Sequence, residues 1–315
     1  MSSRSSTPDR SITPHLALVM VQLLFGTWPI FGKIVLRAIS SISLVGLRIC
    51  GAAIIFALLQ RKLTALRHLP SKVLAWLVLT SLLGVVINQL LFVRGLSLTT
   101  AINATLLSTT IPVFTLVVSI ALGHDQASVR NLAGIALAVA GVIYLVDPFR
   151  VSFSTESTWG NLLIVVNSFC YGAYIAVSRD LVQKYGALNL ITWIFVIGSV
   201  MTLPLAGYAW SVENWEFVSI SVWTSIAYII LVPTVGAYYL NAWALTRLAP
   251  TIVSVYIYMQ PLIAFGLAPL ILGEQISSRT LVACVLIFAG VAVVTIRSRS
   301  KVIEEISEHP DAMAH

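Results

Sequence analysis

The stretch Gln89–Pro112, QLLFVRGLSLTTAINATLLSTTIP, is answered 149 positions later by Tyr238–Pro261, YYLNAWALTRLAPTIVSVYIYMQP. Each reads as an apolar helix, a short break (Arg94–Ala101 in the first copy) and a second apolar helix that carries a proline. Leu96 falls on Leu245, Thr105 on Ser254 and Pro112 on Pro261 without a gap. Beyond the prolines both copies close with Leu-Gly, at Leu122-Gly123 and Leu272-Gly273, then a polar turn and another apolar run containing Gly141 or Gly290. Working back from this core, Phe25-Gly26-Thr27-Trp28 lies on Tyr171-Gly172-Ala173-Tyr174, which puts Lys33 on Arg179. Internal similarity at a long, fixed offset marks a duplicated unit.

The chain has 315 residues, 58% hydrophobic and only 10% charged, with a mean hydropathy of +0.94. A water-soluble surface needs about a quarter of its residues charged, so this composition excludes a soluble domain. The apolar runs are near the roughly 20 residues that cross a hydrocarbon core. We expect ten: about 16–36, 42–60, 73–93, 99–122, 129–147, 159–179, 189–210, 219–243, 250–272 and 279–297. The expected organisation is a disordered cytoplasmic tail (1–14), a first five-helix repeat (15–147), a linker (148–158), a second repeat (159–297) and a cytoplasmic C-terminal tail (298–315). The run after His15 is longer than a signal-peptide core and lacks a small-residue cleavage site. Cys50, Cys170 and Cys284 lie far apart inside apolar runs and read as packing residues.

The net charge of +7 reflects topology rather than nucleic-acid binding, because the basic residues sit in the joints between spans. With the N-terminus inside, thirteen Lys and Arg fall on the cytoplasmic side: Arg4, Arg10, Arg61, Lys62, Arg67, Lys72, Arg130, Arg179, Lys184, Arg247, Arg297, Arg299 and Lys301. Five fall on the other side (Lys33, Arg37, Arg94, Arg150, Arg279), with Arg48 inside a span. This bias predicts both termini in the cytoplasm. Five spans per half, an odd number, would set the second half upside down relative to the first, the construction of many secondary carriers.

In sum, Phe25-Gly26-Thr27-Trp28 with Lys33, Arg48, Gly84, Gln89 through Gly95-Leu96, Ala101, Thr105, Pro112, Gly123, Gly134 and Gly141 follow one another in an order that resembles the EamA-type carriers of the drug/metabolite transporter superfamily. The second half repeats the later signals, and Glu274 after Leu272-Gly273 fits the family's Leu-Gly-Glu ending where the first half has His124. Arg48 has no basic counterpart in the second half. The resemblance implies an all-α membrane protein, ten helices as two inverted repeats around a central cavity lined by spans one, three, four, six, eight and nine. It further implies alternating access and export or exchange of small metabolites, often amino acids or related compounds.

The polar residues can also be read by helical spacing alone. Gln22, Gly26, Pro29 and Lys33 share one face of span one. In span six Ser168, Gly172 and Arg179 take the equivalent face, with Asn167, Tyr171 and Tyr174 about 100° round. Thr234, Tyr238, Asn241 and Leu245 in span eight match Val85, Gln89, Phe92 and Leu96 in span three. Ala101, Thr105, Ser108 and Pro112 in span four are answered by Pro250, Ser254, Tyr258 and Pro261 in span nine, whose Tyr256 and Gln260 fall on the far side from Ser254. Such residues either bridge helices or turn inward to a shared cavity. The candidate solute-binding set is Gln22, Trp28, Asn88, Gln89, Thr105, Tyr171, Tyr174, Tyr238, Asn241 and Tyr258, with Trp28 equally suited to an interfacial anchor. Lys33, Arg48 and Arg179 are candidate charges at the mouths of a pathway. Arg48, about six residues into span two, is close enough to snorkel. Pro112 and Pro261 each free a carbonyl one turn earlier and predict kinks. Gly134, Ala138 and Gly141 against Ala283, Ala289 and Gly290 predict close packing of spans five and ten.

Every Asp and His lies in a joint or tail, and Glu274 ends span nine, so no membrane-embedded acid offers a proton relay. No residue set for a metal, haem or other cofactor is legible, and no GxxxxGK[ST] motif for ATP is present. The reading is therefore a secondary transporter in the cell (inner) membrane, not an enzyme, that moves a small polar or amphipathic, amino-acid-like metabolite. Its expected partners are that solute and the bilayer, with no nucleic acid; a homodimer is compatible with the sequence. The alternatives are a lipid-modifying membrane enzyme, motivated by Lys33, Arg48 and Arg94, and a scaffold without transport.

Overall fold

A computed structural model describes residues 12–60, 69–123, 128–146, 156–290 and 293. Residues 1–11 of the expected N-terminal tail, the C-terminal tail, the 148–155 part of the linker and the joint holding Arg61, Lys62 and Arg67 lie outside the described residues, while Thr13 and Pro14 already belong to the first helix. Those described are helical, without strands. Eight helices are long and apolar enough to cross a membrane: α1 (Thr13–Val35), α2 (Ser41–Leu59), α3 (Ser71–Leu98), α4 (Ala101–Ala121), α6 (Glu156–Tyr185), α7 (Ala187–Val212), α8 (Ile220–Leu245) and α9 (Pro250–Leu272). Two further apolar helices, α5 (Val129–Val146) and α10 (Ser278–Gly290), are shorter over the described residues. All-helical construction follows from the solvent, since in hydrocarbon every backbone N–H and C=O must find its partner within the protein.

Local signals set the ends. Ser40 caps α2 by accepting from the Ser43 amide, and Thr100 caps α4 by accepting from the Asn103 amide. Gly123 and Gly273, the two Leu-Gly endings, adopt φ of 75° and 70°, the left-handed conformation that closes a helix. The break expected over Arg94–Ala101 shrinks to Thr99 and Thr100, because α3 stays helical through Leu98. α6 is longer than expected at both ends.

The repeat is visible in the irregularities. α3 contains a π turn at Leu82–Val86, and α8 contains one at Ile230–Gly236, on the equivalent positions. α4 breaks at Thr109–Thr110, and α9 tightens to a 3₁₀ turn at Tyr256–Met259. Pro112 and Pro261 each sit in the first turn of the segment that follows, where a missing N–H removes no hydrogen bond. The expected kinks are therefore breaks completed just before the prolines.

The halves interlock. α2 lies along α7 and α3 along α6, while α1 packs against α8 and α9, and α4 against α6 and α9. α3 and α6 cross at Gly95 and Gly160, where a Cβ on either would stand within 2.9 Å of the other's carbonyl oxygen. α5 and α10 meet through small residues as expected, with Gly290 against the backbone of Gly134 and Ala138.

Candidate functional site

A cavity with about 660 Å³ of empty space, part of it open, lies where α1, α2, α3, α4, α6, α8 and α9 converge. Its wall draws on both halves, and most of it belongs to the faces picked out by spacing. α1 contributes Gln22, Phe25, Trp28 and Pro29; α3 contributes Asn88, Gln89 and Phe92; α4 contributes Thr105, Ser108 and Ile111. Asn167 and Tyr171 come from α6, Tyr238 and Asn241 from α8, Ile257 and Gln260 from α9, and Arg48 from α2.

Two π turns organise the polar part of this wall. A π turn shifts the backbone register by one residue and disturbs the local i→i−4 ladder. In α3 the Gly84 carbonyl accepts from the Tyr238 hydroxyl of α8 at 3.0 Å. In α8 the Thr234 hydroxyl donates to the Ile229 carbonyl at 2.7 Å, so its oxygen is free to accept. Arg48 Nε and Nη2 both donate to that oxygen at 3.1 Å. The guanidinium also lies over the Trp28 ring, 3.7 Å from its centroid, a cation–π contact strengthened by desolvation. Each half's π turn is thus fastened by a side chain of the other half.

The rest of the wall is partly satisfied. Gln260 Nε2 donates to Gln22 Oε1 at 2.7 Å, and Asn167 Nδ2 donates to the Asn88 carbonyl at 2.8 Å. Asn241 Nδ2 lies 3.4 Å from the Tyr171 hydroxyl. Thr105 and Ser108 donate their hydroxyl hydrogens to the Ala101 and Ala104 carbonyls of their own helix, which leaves only acceptors facing the cavity. Gln89 is the exception: only 2% exposed, it makes no hydrogen bond of normal geometry to the described residues on either Nε2 or Oε1. The Tyr238 hydroxyl gives its hydrogen to Gly84 and leaves its oxygen facing the Gln89 amide in a weak contact.

Of the ten candidate solute-binding residues, the structure brings Gln22, Trp28, Asn88, Gln89, Thr105, Tyr171, Tyr238 and Asn241 together around the cavity. Tyr174 stands behind the wall, against the Tyr171 ring and in the space beside Gly84. Tyr258 points away and packs on Phe288, because the 3₁₀ turn carries it off the inward face. The same turn accounts for Gln260, which an ideal helix puts on the far side. Four residues advancing 120° instead of 100° rotate it by roughly 80° toward the interior. Tyr256 bonds His15 at 2.6 Å, and Ser254 is buried, donating to the Thr251 carbonyl. Ser168 and Gly172 face α4 rather than the cavity.

The charges separate. Arg48, expected to snorkel toward a mouth, is 3% exposed and forms part of the cavity wall, held there by Thr234 and Trp28. Trp28 is buried at 5% exposure and is no interfacial anchor. Lys33 lines a separate recess with Arg37, Ser97 and Glu274. There Glu274 accepts from the Ala101 and Ile102 amides at 2.8 and 3.1 Å, so the end of α9 caps the start of α4. Arg179 lies half-buried near the end of α6, off the cavity.

Long apolar helices around a chamber lined by polar side chains define a multi-pass membrane protein with an internal polar pocket. The sequence profile of the EamA-like transporter family matches this chain twice, over residues 13–146 and 158–296, and the chain belongs to that family. It is similar to an uncharacterized transporter of Archaeoglobus fulgidus, 29% identical over 89% of this chain and 96% of that protein. It is also similar to a WAT1-related protein of Arabidopsis thaliana, 23% identical over 89% of this chain and 83% of that protein. A solved structure described only as a crystal structure of a protein superposes with a TM-score of 0.65 at 19% identity, covering 91% of this chain and 98% of that one. That likeness concerns the fold alone. The duplication read from Gln89–Pro112 and Tyr238–Pro261 is thus a duplication of a family domain, and the protein is a membrane transporter.

Proposed function

We propose that the chain is a secondary transporter that exports or exchanges a small polar or amphipathic metabolite by alternating access. In this reading the ten helices form two five-helix repeats, 15–147 and 159–297, set in opposite orientation. The protein sits in the cell (inner) membrane with both termini cytoplasmic, as the thirteen-to-five division of basic residues favours. The observation that carries the reading is the Gln89 amide, buried in a chamber shared by both halves without a well-formed hydrogen bond to any described residue. A buried amide left without partners costs about 1–3 kcal/mol, a cost that a bound solute removes. Phe25, Trp28, Phe92, Tyr171 and Tyr238 add aromatic surface suited to an amphipathic solute. The chain acts as a carrier and not as an enzyme.

Purified protein in liposomes loaded with a mixture of amino acids, nucleosides and organic anions is expected to exchange a labelled member of the panel. Gln89→Leu liposomes are expected to lose that exchange. Flux equal to that of empty liposomes across the whole panel would overturn the reading.

A further inference from the structure

We propose that the solute is an organic anion whose carboxylate sits on Arg48; this rests on the transporter reading and narrows it to a substrate class. A guanidinium carries five N–H donors. Two of Arg48's are taken by the Thr234 hydroxyl, and one face is covered by Trp28. The other three have no partner among the described residues, although the side chain is 97% buried and borders the cavity. Thr234 is a neutral acceptor and Trp28 a neutral ring, so no described residue compensates the positive charge itself. Among the described residues no Asp or Glu lines the cavity: Glu156, Glu213, Glu216 and Glu274 stand at helix ends or in joints, and Asp180 lies exposed in the last two turns of α6.

A buried cation without a counter-ion is costly, and a ligand carboxylate supplies both the missing charge and acceptors for the free donors. Planar two-oxygen groups match the guanidinium fork. The same arrangement disfavours a cationic solute, which would stand beside a positive charge with no acid to offset it. The remaining groups refine the class. Gln89 offers an unpartnered acceptor as well as a donor, so the solute carries an N–H or O–H of its own. The aromatic residues on the wall take an apolar body between the two polar ends.

Three probes of one shape separate the possibilities: 4-hydroxyphenylacetate (anion), 4-hydroxyphenylacetamide (neutral) and tyramine (cation). Each is titrated by calorimetry onto the purified full-length protein in neutral detergent. The carboxylate is expected to bind roughly tenfold to hundredfold more tightly than the amide, the range for a hydrogen bond to a charged group, and tyramine not to bind. Arg48→Gln is expected to abolish the preference, and Arg48→Lys to keep it with weaker binding. Equal binding of carboxylate and amide, tighter binding of tyramine, no binding of any probe, or an Arg48→Gln protein that still prefers the carboxylate would each overturn the proposal. The carboxylate-to-amide comparison needs no variant, so it stands if Arg48→Gln does not fold. A protein that exchanges neutral or cationic solutes across liposomes would leave the transporter reading intact and sink this one.

Discussion

Gly160→Ala is expected to destabilise the protein although it adds one methyl to a helix, where alanine is ordinarily favoured over glycine by about 1 kcal/mol. The reason is the crossing of α3 and α6. A Cβ at Gly160 would stand 2.8 Å from the Gly95 carbonyl oxygen, 2.9 Å from Leu98 Cβ and 2.9 Å from the Thr99 nitrogen. These lie roughly 0.6–0.7 Å inside the 3.5 Å at which such contacts become favourable. Two of the three neighbours are backbone, so the helices themselves must separate, which typically costs about 1–3 kcal/mol. Gly95→Ala meets the Gly160 oxygen at 2.9 Å, but its other neighbours are Cδ1 and Cγ1 of Ile164, side-chain atoms that can shift where backbone cannot. Its cost should therefore be smaller. The double variant should cost less than the sum, because both methyls strain one contact. Gly207, inside the C-terminal part of α7 with nothing within 4 Å, is the control, and Gly207→Ala should raise stability by the propensity term alone. Thermal denaturation of the detergent-solubilised proteins, followed by gel filtration of what remains monodisperse, gives the order Gly207→Ala, wild type, Gly95→Ala, Gly160→Ala. A Gly160→Ala protein as stable as the wild type would refute the close crossing of the two halves.

Gln89→Leu should raise the melting temperature, since it removes two unpartnered buried polar atoms, while lowering flux; a loss of stability would mean that the amide is satisfied. Glu274→Ala should destabilise by about 1–2 kcal/mol through loss of the α4 cap, and thermal melts of Glu274→Gln should fall between it and the wild type. Glu213, just past α7, is partly buried, which pushes its pKa up, yet hydrogen bonds from Ser43 and Ser40 outweigh this and hold it below the ordinary carboxylate value. A depressed folded-state pKa contributes stability above the unfolded value that is lost as pH falls through the folded one. Melting curves from neutral to acidic pH should therefore fall less for Glu213→Gln than for the wild type, and equal slopes would exclude this contact as a contributor. Reporters fused after residues 67 and 147 should appear on opposite sides of the membrane; finding both on one side would end the inverted-repeat arrangement.

Helix positions were legible because length, apolarity and Leu-Gly endings are local properties, and the duplication was legible because Pro112 and Pro261 recur in register. The inward faces of α1, α3 and α8 followed from regular winding. What regular winding cannot supply is a change of helix type. The π turns at Leu82–Val86 and Ile230–Gly236 have no distinct residue pattern beyond Gly84 and Pro233. The 3₁₀ turn in α9 exchanges the expected Tyr258 for Gln260 on the wall. Arg48 escapes sequence reasoning for another reason: its depth from the start of α2 measures only its reach to water. Its position is set instead by an acceptor on α8, 186 residues away in the chain.

The central claim is that the chamber between the halves is wet and reached alternately from the two sides. Asn241→Cys, in a protein with Cys50, Cys170 and Cys284 replaced by serine, tests it with membrane-impermeant thiol reagents on sealed right-side-out and inside-out vesicles. Labelling from both sides, slowed when a transported solute is present, is the expected result. A thiol that reacts from neither side would mean a dry, closed seam and would contradict the account.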